Sequence, residues 1–455
     1  MIIPSLRLTL LAGGVLLPAG AVAAWRPDLA GYTAMAACIL FLVSVLDAVG
    51  SRGKLAHFSV EVPEVVRLTV DRASRIQMRL RKTPAAAARL RMGLALPGSI
   101  AADKNELSFQ AAAGRDAVVL SWGCRALRRG RFPLNRCHLE TGSGLGLWAI
   151  RRTVAIDSEI RAYPNLISGR QHMRGLFRKK DWGLRTQRRV GRGREFEQLR
   201  DYLPGDSFDD IEWKATARRR HPITKVYQVE QAQEIYVLLD ASRLSTRSAD
   251  YIMNRRRRKR EPDTGAETTI FDRYITAALV MAVAADQLSD RFGLLVFSDK
   301  PEGFIKAGRG RAHYNACRDA LYSRMPHAVS PDFDELFTFV GTHLRKRALL
   351  VVLTSMDDPM LAESFIRAMR AATRKHILVV NMFRPPGAHP LFTSPDIRQV
   401  QGIYQHLVGH MMWSSINETR RLLKQHGAAL HLLDKQQLCS QLVNQYMEVK
   451  QRQLL

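Results

Sequence analysis

The chain has 455 residues, of which 46% are hydrophobic, and a formal net charge of +27. Its length exceeds the usual size of one domain, which excludes a single small unit and predicts two or three folded parts. Five scattered cysteines without a Cys-x-x-Cys pair argue against a disulfide framework and fit reduced thiols. The basic excess leaves two kinds of anionic partner open, a nucleic acid or a membrane surface.

Two apolar runs near the start of the chain, 8–24 and 32–49, are each close to the length that crosses a bilayer. Trp25 and Tyr32 stand at the edges of the short break between them, where interfacial aromatic residues belong. Basic residues follow the second run, beginning with Arg52 and Lys54. The positive-inside rule therefore predicts a transmembrane hairpin over 1–50, with the bulk of the chain in the cytoplasm beneath the inner (plasma) membrane.

A cleaved signal peptide is the alternative for the first run. Arg7, the apolar stretch and the small residues at 21–23 follow its three regions. The second run would still orient with its basic flank inside, so the soluble part would stay on the same side. Two buried core helices are a third alternative, but the nearby sequence offers no amphipathic partners for them.

Residues 55–165 alternate apolar and polar side chains, as half-buried β-strands do. Ile76, Met78 and Leu80 alternate with polar residues, and a second such run ends at Trp122. Turn residues at 129–132 lead into a further strand. We predict a β-sandwich-like domain over 55–165.

The next predicted domain, 166–233, is a basic connector followed by a segment rich in motifs. Ten arginine and lysine residues lie between positions 168 and 194. Sparse aromatics and the lack of a nucleic-acid-binding motif favour a linker near the inner leaflet, so nucleic acid is not the expected partner. Binding of nucleic acid or anionic lipid through the basic tracts stays open as an alternative function.

The segment 193–217, called the signature segment below, spaces charges and aromatics too regularly for a solvated linker. Leu199, Tyr202 and Leu203 stand at helical spacing before a Pro-Gly-Asp turn. Ile211 and Trp213 follow as an apolar pair that could dock on a neighbouring domain, which would bury both side chains. The residues predicted to contact a partner or another domain are Glu195, Arg200, Tyr202, Pro204, Gly205, Asp206 and Trp213.

Strands and helices alternate over 234–455. Short apolar strands separated by amphipathic helices predict a parallel sheet covered on both faces. The first strand ends in Asp240, at the edge where open α/β sheets place their sites. Six consecutive basic residues at 255–260 interrupt the pattern, and we predict a disordered loop there because like charges repel.

The signature segment resembles a bacterial family catalogued as domain of unknown function fifty-eight. The motifs that carry the resemblance are Gly193-x-Glu195-Phe196, Leu199-Arg200-x-Tyr202, Pro204-Gly205-Asp206, Ile211-x-Trp213 and a strand ending in Asp240-x-Ser242. The resemblance implies a membrane helical hairpin, then a β-sandwich, then a doubly wound α/β sheet of the von Willebrand factor A type. It also implies work beside a MoxR-type AAA+ ATPase, because genes of the family often lie next to one.

A von Willebrand A-like domain further implies a divalent-ion site built from Asp-x-Ser-x-Ser, a threonine and a second aspartate. Asp240 and Ser242 match this pattern, but Leu244 replaces the next serine and Ser355 stands where the second aspartate is expected. The residues left for a degenerate site are Asp240, Ser242, Ser245 and Asp357. We expect no cofactor and weak or absent Mg²⁺ binding, because Mg²⁺ demands near-ideal octahedral ligation. The alternative role of Asp240 and Ser242 is to cap the following turn.

Motifs of hydrolases, zinc proteases and phosphate-binding loops are absent from the sequence. Acidic residues near Asp206 leave an enzyme of unknown reaction as an alternative, but salt bridges to nearby basic residues are the simpler interpretation. We therefore predict a non-enzymatic, membrane-anchored module that binds a protein. The acidic residues are Asp206, Asp209, Asp210 and Glu212, and their expected partners are Arg218, Arg219, Arg220 and Lys225.

Overall fold

The computed structural model describes ten stretches of the chain, which form two compact units. The first unit ends at Asn165 and the second begins at Leu166. The basic insertion at 255–260, most of the basic connector, and Gly205 and Asp206 lie outside the described residues. The described stretches are 1–56, 58–82, 88–111, 117–166, 190–204, 207–228, 233–248, 268–390, 400–434 and 437–452.

A helical hairpin opens the first unit. After a short strand β1 (Ile2–Pro4), helix α1 (Leu6–Trp25) begins at Ser5, whose hydroxyl accepts a hydrogen bond from a backbone N–H of the first turn. A turn at Pro27–Leu29 reverses the chain into helix α2 (Ala30–Gly50). Both helices are long and apolar enough to cross a membrane and are almost wholly exposed, as the two apolar runs predict.

Two sheets follow and enclose one apolar core. Ile76, Met78 and Leu80 are buried inside it together with Trp122 and Leu139, so the predicted alternation is confirmed. One sheet has the order β1-β10-β9-β5-β7, with β3 paired to β10, and the other has the order β2-β4-β8-β6. The strands are β2 (Phe58–Glu61), β3 (Val65–Thr69), β4 (Ala73–Lys82), β5 (Ala88–Leu94), β6 (Ile100–Ala102), β7 (Leu107–Ala111), β8 (Ala117–Ala126), β9 (Gly130–Gly142) and β10 (Trp148–Tyr163).

The hairpin is joined to the sandwich within this unit. Strand β1 pairs antiparallel with the start of β10, and the Asp47 carboxylate near the end of α2 accepts hydrogen bonds from the Ser143 hydroxyl (2.5 Å) and the Leu145 N–H (3.0 Å). The Trp148 indole N–H donates to the Ser44 carbonyl at 2.8 Å. These bonds place β1, the end of α2 and the sandwich at the same end of the hairpin.

The second unit begins with a two-stranded antiparallel ribbon, β11 (Val190–Asp201) and β12 (Ile223–Gln228), with helix α3 (Trp213–Arg219) between them. The helical spacing of Leu199, Tyr202 and Leu203 is therefore misleading. Leu199 pairs across the ribbon with Lys225, and Tyr202 and Leu203 follow the strand in an irregular stretch. Pairing with a strand that lies more than twenty residues away overrides the local pattern.

A six-stranded sheet of order β15-β14-β13-β16-β17-β18 forms the body of this unit. All neighbouring strands are parallel except β15, which is an antiparallel edge strand. The parallel sheet of the prediction is thus confirmed, with one strand reversed. The strands are β13 (Glu234–Asp240), β14 (Arg291–Phe297), β15 (Pro301–Gly308), β16 (Leu349–Leu353), β17 (Ile377–Phe383) and β18 (Ala428–Leu433).

Helices cover both faces of this sheet, as a doubly wound architecture requires. Side chains of α4, α5 and α9 pack on one face, and side chains of α6, α7 and α8 pack on the other. Helix α8 begins at Val400, well before Ile416, although the sequence pattern predicts a helix only over 416–426. The helices are α4 (Ile270–Gln287), α5 (Arg311–Leu321), α6 (Phe333–His343), α7 (Pro359–Thr373), α8 (Val400–Gln425) and α9 (Leu438–Gln451).

Candidate functional site

The carboxyl edge of the six-stranded sheet holds the residues that the sequence singled out for a metal. Strand β13 lies in the interior of the sheet, so its last residue, Asp240, is completely buried. The two carboxylate oxygens accept hydrogen bonds from the Ser242 N–H (2.8 Å) and from the Thr354 hydroxyl (2.5 Å). Burial raises the pKa of Asp240, and these donors oppose that effect.

Tyr274 closes the site from helix α4. Its hydroxyl donates to the Thr354 carbonyl at 3.2 Å, and its ring stacks on Phe383 with centroids 5.3 Å apart. Burial, reinforced by the charges of Asp240 and Asp357, holds the pKa of Tyr274 well above its ordinary value. The tyrosine is therefore a neutral hydrogen-bond donor that fixes the end of β16 rather than an acid–base group.

Asp357, the second predicted carboxylate ligand, is paired with a cation of the protein itself. Arg247 places a guanidinium nitrogen 2.6 Å from one oxygen of this carboxylate. The other oxygen is buried and has no hydrogen-bond partner among the described residues. An arginine thus neutralises the charge that a divalent ion would otherwise balance.

Ser242 and Ser245 belong to a short helical turn that follows β13 at this edge. The Ser242 hydroxyl accepts from the Leu244 N–H at 3.4 Å and caps the short helical turn Arg243–Ser245, while Ser245 is itself buried. Leu244 fills the position of the expected serine with a buried apolar side chain. The capping role left open by the sequence is therefore present in the structure.

This donor set does not fit Mg²⁺ in its usual octahedral ligation. Both oxygens of Asp240 are engaged, Asp357 is bound to Arg247, and Leu244 and Ser355 cannot supply the missing charge. Among the described residues, no group of three or more His, Cys, Asp or Glu side chains is placed to hold a metal ion. The chemistry that the edge supports is a hydrogen-bonded lock between β13 and β16.

A second polar cluster at the same edge was not predicted. The Ser298 hydroxyl lies 2.6 Å from Glu302 and 2.7 Å from Asp299, and the carboxylate of Glu302 also faces His327 and Arg324. The hydrogen bond from Ser298 is the main cause that lowers the pKa of Asp299. A serine followed by an aspartate directly after an apolar strand is the signal that could have found this cluster.

The signature segment forms the ribbon and the short helix at the start of the second unit. Tyr202 and Phe208 place their ring centroids 5.9 Å apart, and the Tyr202 N–H donates to the Pro222 carbonyl at 3.0 Å. The Thr216 hydroxyl accepts from the Ile223 N–H at 3.0 Å and ties α3 to β12. These bonds connect both ends of the segment, so it is a folded motif rather than a linker.

The predicted burial of the apolar pair is half wrong. Ile211 is buried, because it bridges to Thr224, but Trp213 is 67% exposed. Trp213 is the first residue of α3, and its ring projects from the first turn. Leu203 (58%) and Phe208 (73%) are exposed on the same segment, which therefore presents large apolar side chains to solvent.

The other predicted residues of the segment lie partly in strand β11 and partly at exposed positions after it. Glu195 lies on β11, paired with Gln228, and Pro204 lies in an exposed turn. Arg200 is half-buried, and its guanidinium donates to the Asp201 carbonyl at 3.3 Å. Tyr202 and Pro204 follow β11, and Trp213 begins α3.

Of the four acidic residues that the sequence singles out in the segment, the structure describes the side chains of Asp209 and Glu212. Glu212 pairs with Lys225, as predicted, and a hydrogen bond from Lys225 is the main cause that lowers the pKa of Glu212. Asp209 is exposed, and its backbone N–H donates to the Ser207 hydroxyl.

Comparisons with known proteins show what the second unit is similar to. A family model described as "Protein of unknown function DUF58" matches residues 198–388, and no curated protein matches the chain. The solved structures that are similar to parts of it include the SpRpn10 VWA domain (14% identity, 47% of this chain and 95% of that one, TM-score 0.27), an aerotolerance-related membrane protein from Bacteroides fragilis (13%, 47% and 97%, 0.27) and an ASH/PapD-like domain of human CEP192 (7%, 22% and 84%, 0.16).

These likenesses concern fold only, and the sheet order and the helices on both faces carry the assignment of the von Willebrand A-like architecture. The family match begins within β11 and ends after β17, so it contains the signature segment from Gln198 onward and the Asp240 edge. Residues 198–388 thus match the DUF58 family model, and the resemblance read from the motifs is confirmed.

Proposed function

We propose that this chain is a membrane-anchored, non-enzymatic protein-interaction module whose α/β domain works in the cytoplasm. The observation that carries the proposal is the exposure of three large apolar side chains on the signature segment, Leu203, Phe208 and Trp213. Large aromatic side chains left in water on a folded motif are typical of docking sites, where they become the anchors of an interface. This surface lies inside the family-matched region.

The placement of the chain start supports the orientation. Strand β1 pairs with β10, and Asp47 near the end of α2 binds the loop after β9, so both ends of the hairpin lie beside the sandwich. Cleavage after Ala23 would remove β1 from its sheet, which favours a retained hairpin. With basic residues following α2, the positive-inside rule then assigns the sandwich end to the cytoplasmic side of the inner membrane.

The state of the acidic residues supports a binding role over catalysis. Glu212 is neutralised by Lys225, Asp240 is locked between two donors, and Tyr274 is held protonated. A general acid or base needs a titrating group that reaches a substrate, and these groups are paired or buried instead. An enzymatic activity that is lost in Asp206→Ala would contradict this proposal.

A MoxR-type AAA+ ATPase is the proposed partner, and assembly or remodelling of protein complexes is the proposed process. This step rests on the family resemblance. The apolar motif supports it only by offering a docking surface. We infer that the ATPase, or a client that it acts on, covers Trp213.

Site-specific photocrosslinking in native membranes tests the proposal. A photoreactive phenylalanine analogue replaces Phe208 in the full chain, and the same analogue at Met360 is the matched control because Met360 is 81% exposed elsewhere in the same unit. We expect a crosslinked protein at position 208 that is absent at position 360, and mass spectrometry identifies it.

A second variant separates recognition from proximity. Trp213→Ala in the Phe208 background should remove most of the crosslinked product if the apolar surface is the anchor. Equal labelling at 208 and 360, or labelling at 208 that is unaffected by Trp213→Ala, would contradict a docking role. Recovery of nucleic acid or lipid instead of protein at position 208 would replace the partner class.

A further inference from the structure

Helix α8 carries an apolar face that is exposed in the part of the chain that the structure describes. Ile403, Tyr404, Leu407, Val408 and Met411 are between 49% and 66% exposed. They recur at spacings of three and four residues, so they form one stripe along about 12 Å of helix. A stripe of this kind on a soluble domain marks a contact surface rather than scattered exposed residues.

The opposite side of α8 is fixed to the domain, so this face has one orientation. Ile416 and Leu423 are buried in the core between α8 and the sheet. Gly409 approaches the backbone so closely that a Cβ there would lie 2.1 Å from the Gly387 carbonyl oxygen. The side of the helix that carries Gly409, Ile416 and Leu423 therefore packs against the domain. The apolar stripe lies on the opposite side and points away from it.

We propose that this stripe lies in the interface of the bilayer that holds α1 and α2, as an in-plane amphipathic contact with anionic lipid. The inference rests on the membrane anchoring in the proposed function. An anchored chain keeps α8 at high effective concentration near lipid, so the second contact needs little intrinsic affinity. The family match ends at residue 388, so α8 lies outside it.

Charge and shape favour lipid over a second protein surface. Beyond the stripe the same face carries Glu418, Arg421 and Leu422, and the last turns of α8 hold three basic residues against this one acidic residue, so they are net positive. Aliphatic and tyrosine side chains on a helix with a net positive end suit the boundary between acyl chains and anionic headgroups. The stripe is convex and one helix wide, which a bilayer accommodates without a complementary groove.

Quenching by brominated lipid tests the contact in the full chain. The protein is reconstituted in vesicles of phosphatidylcholine and phosphatidylglycerol, with or without bromine on the acyl chains, and tryptophan replaces Met411. Met360→Trp is the matched control, because Met360 is exposed on α7 of the same unit. After subtraction of the wild-type signal, we expect at least twofold stronger quenching at position 411 than at position 360.

A charge variant and a fractionation step make the result specific. Leu407→Glu added to Met411→Trp should return the quenching to the level of position 360, because an ionised carboxylate is expelled from the acyl region. Equal quenching at 411 and 360 would overturn the inference while leaving the anchoring intact. Release of the whole chain by an alkaline wash would instead overturn the anchoring itself.

A second copy of the chain is the competing occupant, and a cysteine scan distinguishes it. Met411→Cys that forms an intermolecular disulfide in vesicles, at a yield independent of lipid charge and above that of Met360→Cys, would overturn the lipid assignment. Absence of that product together with strong quenching at 411 supports it.

Discussion

The loss of stability on Trp213→Ala distinguishes two roles of this side chain: an exposed docking residue and a residue buried between parts of the fold. Because the side chain is 67% exposed, about a third of its surface is covered in the free protein. A fully buried tryptophan removes up to about 250 Å² from water, so the covered part is about 80 Å². At about 25 cal/mol per Å² this sets a ceiling of about 2 kcal/mol for Trp213→Ala, and the compactness of the unfolded chain lowers it further.

The matched control is Phe365→Ala in the same unit. Phe365 is completely buried, with ring centroids 5.0 Å from Phe333 and 5.3 Å from Phe337. Removing such a side chain costs about 3–5 kcal/mol. Urea unfolding of the full chain in detergent, followed by circular dichroism, measures both free energies of unfolding. A loss at Trp213 as large as that at Phe365 would refute the reasoning, because the ring would then be part of a buried joint.

Three further predictions follow from the lock, from a buried histidine and from the hairpin. Millimolar Mg²⁺ should leave the melting temperature of the wild type unchanged and should raise that of Leu244→Ser with Ser355→Asp, since stabilisation scales with [L]/Kd; a large wild-type shift that Asp240→Ala removes would contradict this. Burial and two nearby cations lower the pKa of His376 to about 4, so its contribution to stability is complete above the unfolded value of about 6.5 and is lost as the pH falls through 4. Urea unfolding should show about 3 kcal/mol of acid destabilisation that His376→Leu lacks, and equal pH profiles would refute the assignment. A reporter fused after Leu455 should be active only in the cytoplasm, and activity outside the membrane would overturn the topology.

The sequence predicted the body of the α/β unit well because its strands are continuous apolar runs. Buried strands such as β13 and β16 need apolar residues on both sides, and this requirement is visible without an alignment. Helix α8 was predicted too short because Gly402 and Gly409 lower the helix propensity of its first turns. The close approach of Gly409 to the Gly387 backbone is a tertiary requirement that local pattern cannot reveal.

The site was predicted in its residues but not in its bonds. Asp240 and Ser242 were recognised by their position at the end of a strand, whereas the hydrogen bond from Thr354 joins residues 114 positions apart. The ion pair of Arg247 with Asp357 spans 110 positions, and the sequence had left Asp357 as a ligand. Such pairs depend on which strand ends are neighbours and on loop paths that periodicity does not specify.

The exposure of Trp213 was missed for a related reason. Its alternation with Ile211 is typical of a buried pair, and burial of Ile211 is confirmed. Helix α3 begins at Trp213, however, so the two side chains belong to different elements and leave the backbone in different directions. A periodicity argument fails where an element boundary falls between the residues compared.

The most direct test of the central claim, that the signature segment binds a protein partner without a metal, is the affinity for the partner captured at position 208. Binding of the wild type is measured with millimolar Mg²⁺ and with excess chelator, and binding of Trp213→Ala is measured in the same buffers. We predict equal dissociation constants for the wild type in both buffers and at least tenfold weaker binding for Trp213→Ala, the expected size for an interface anchor. Loss of binding on chelation, with Trp213→Ala unchanged, would contradict it.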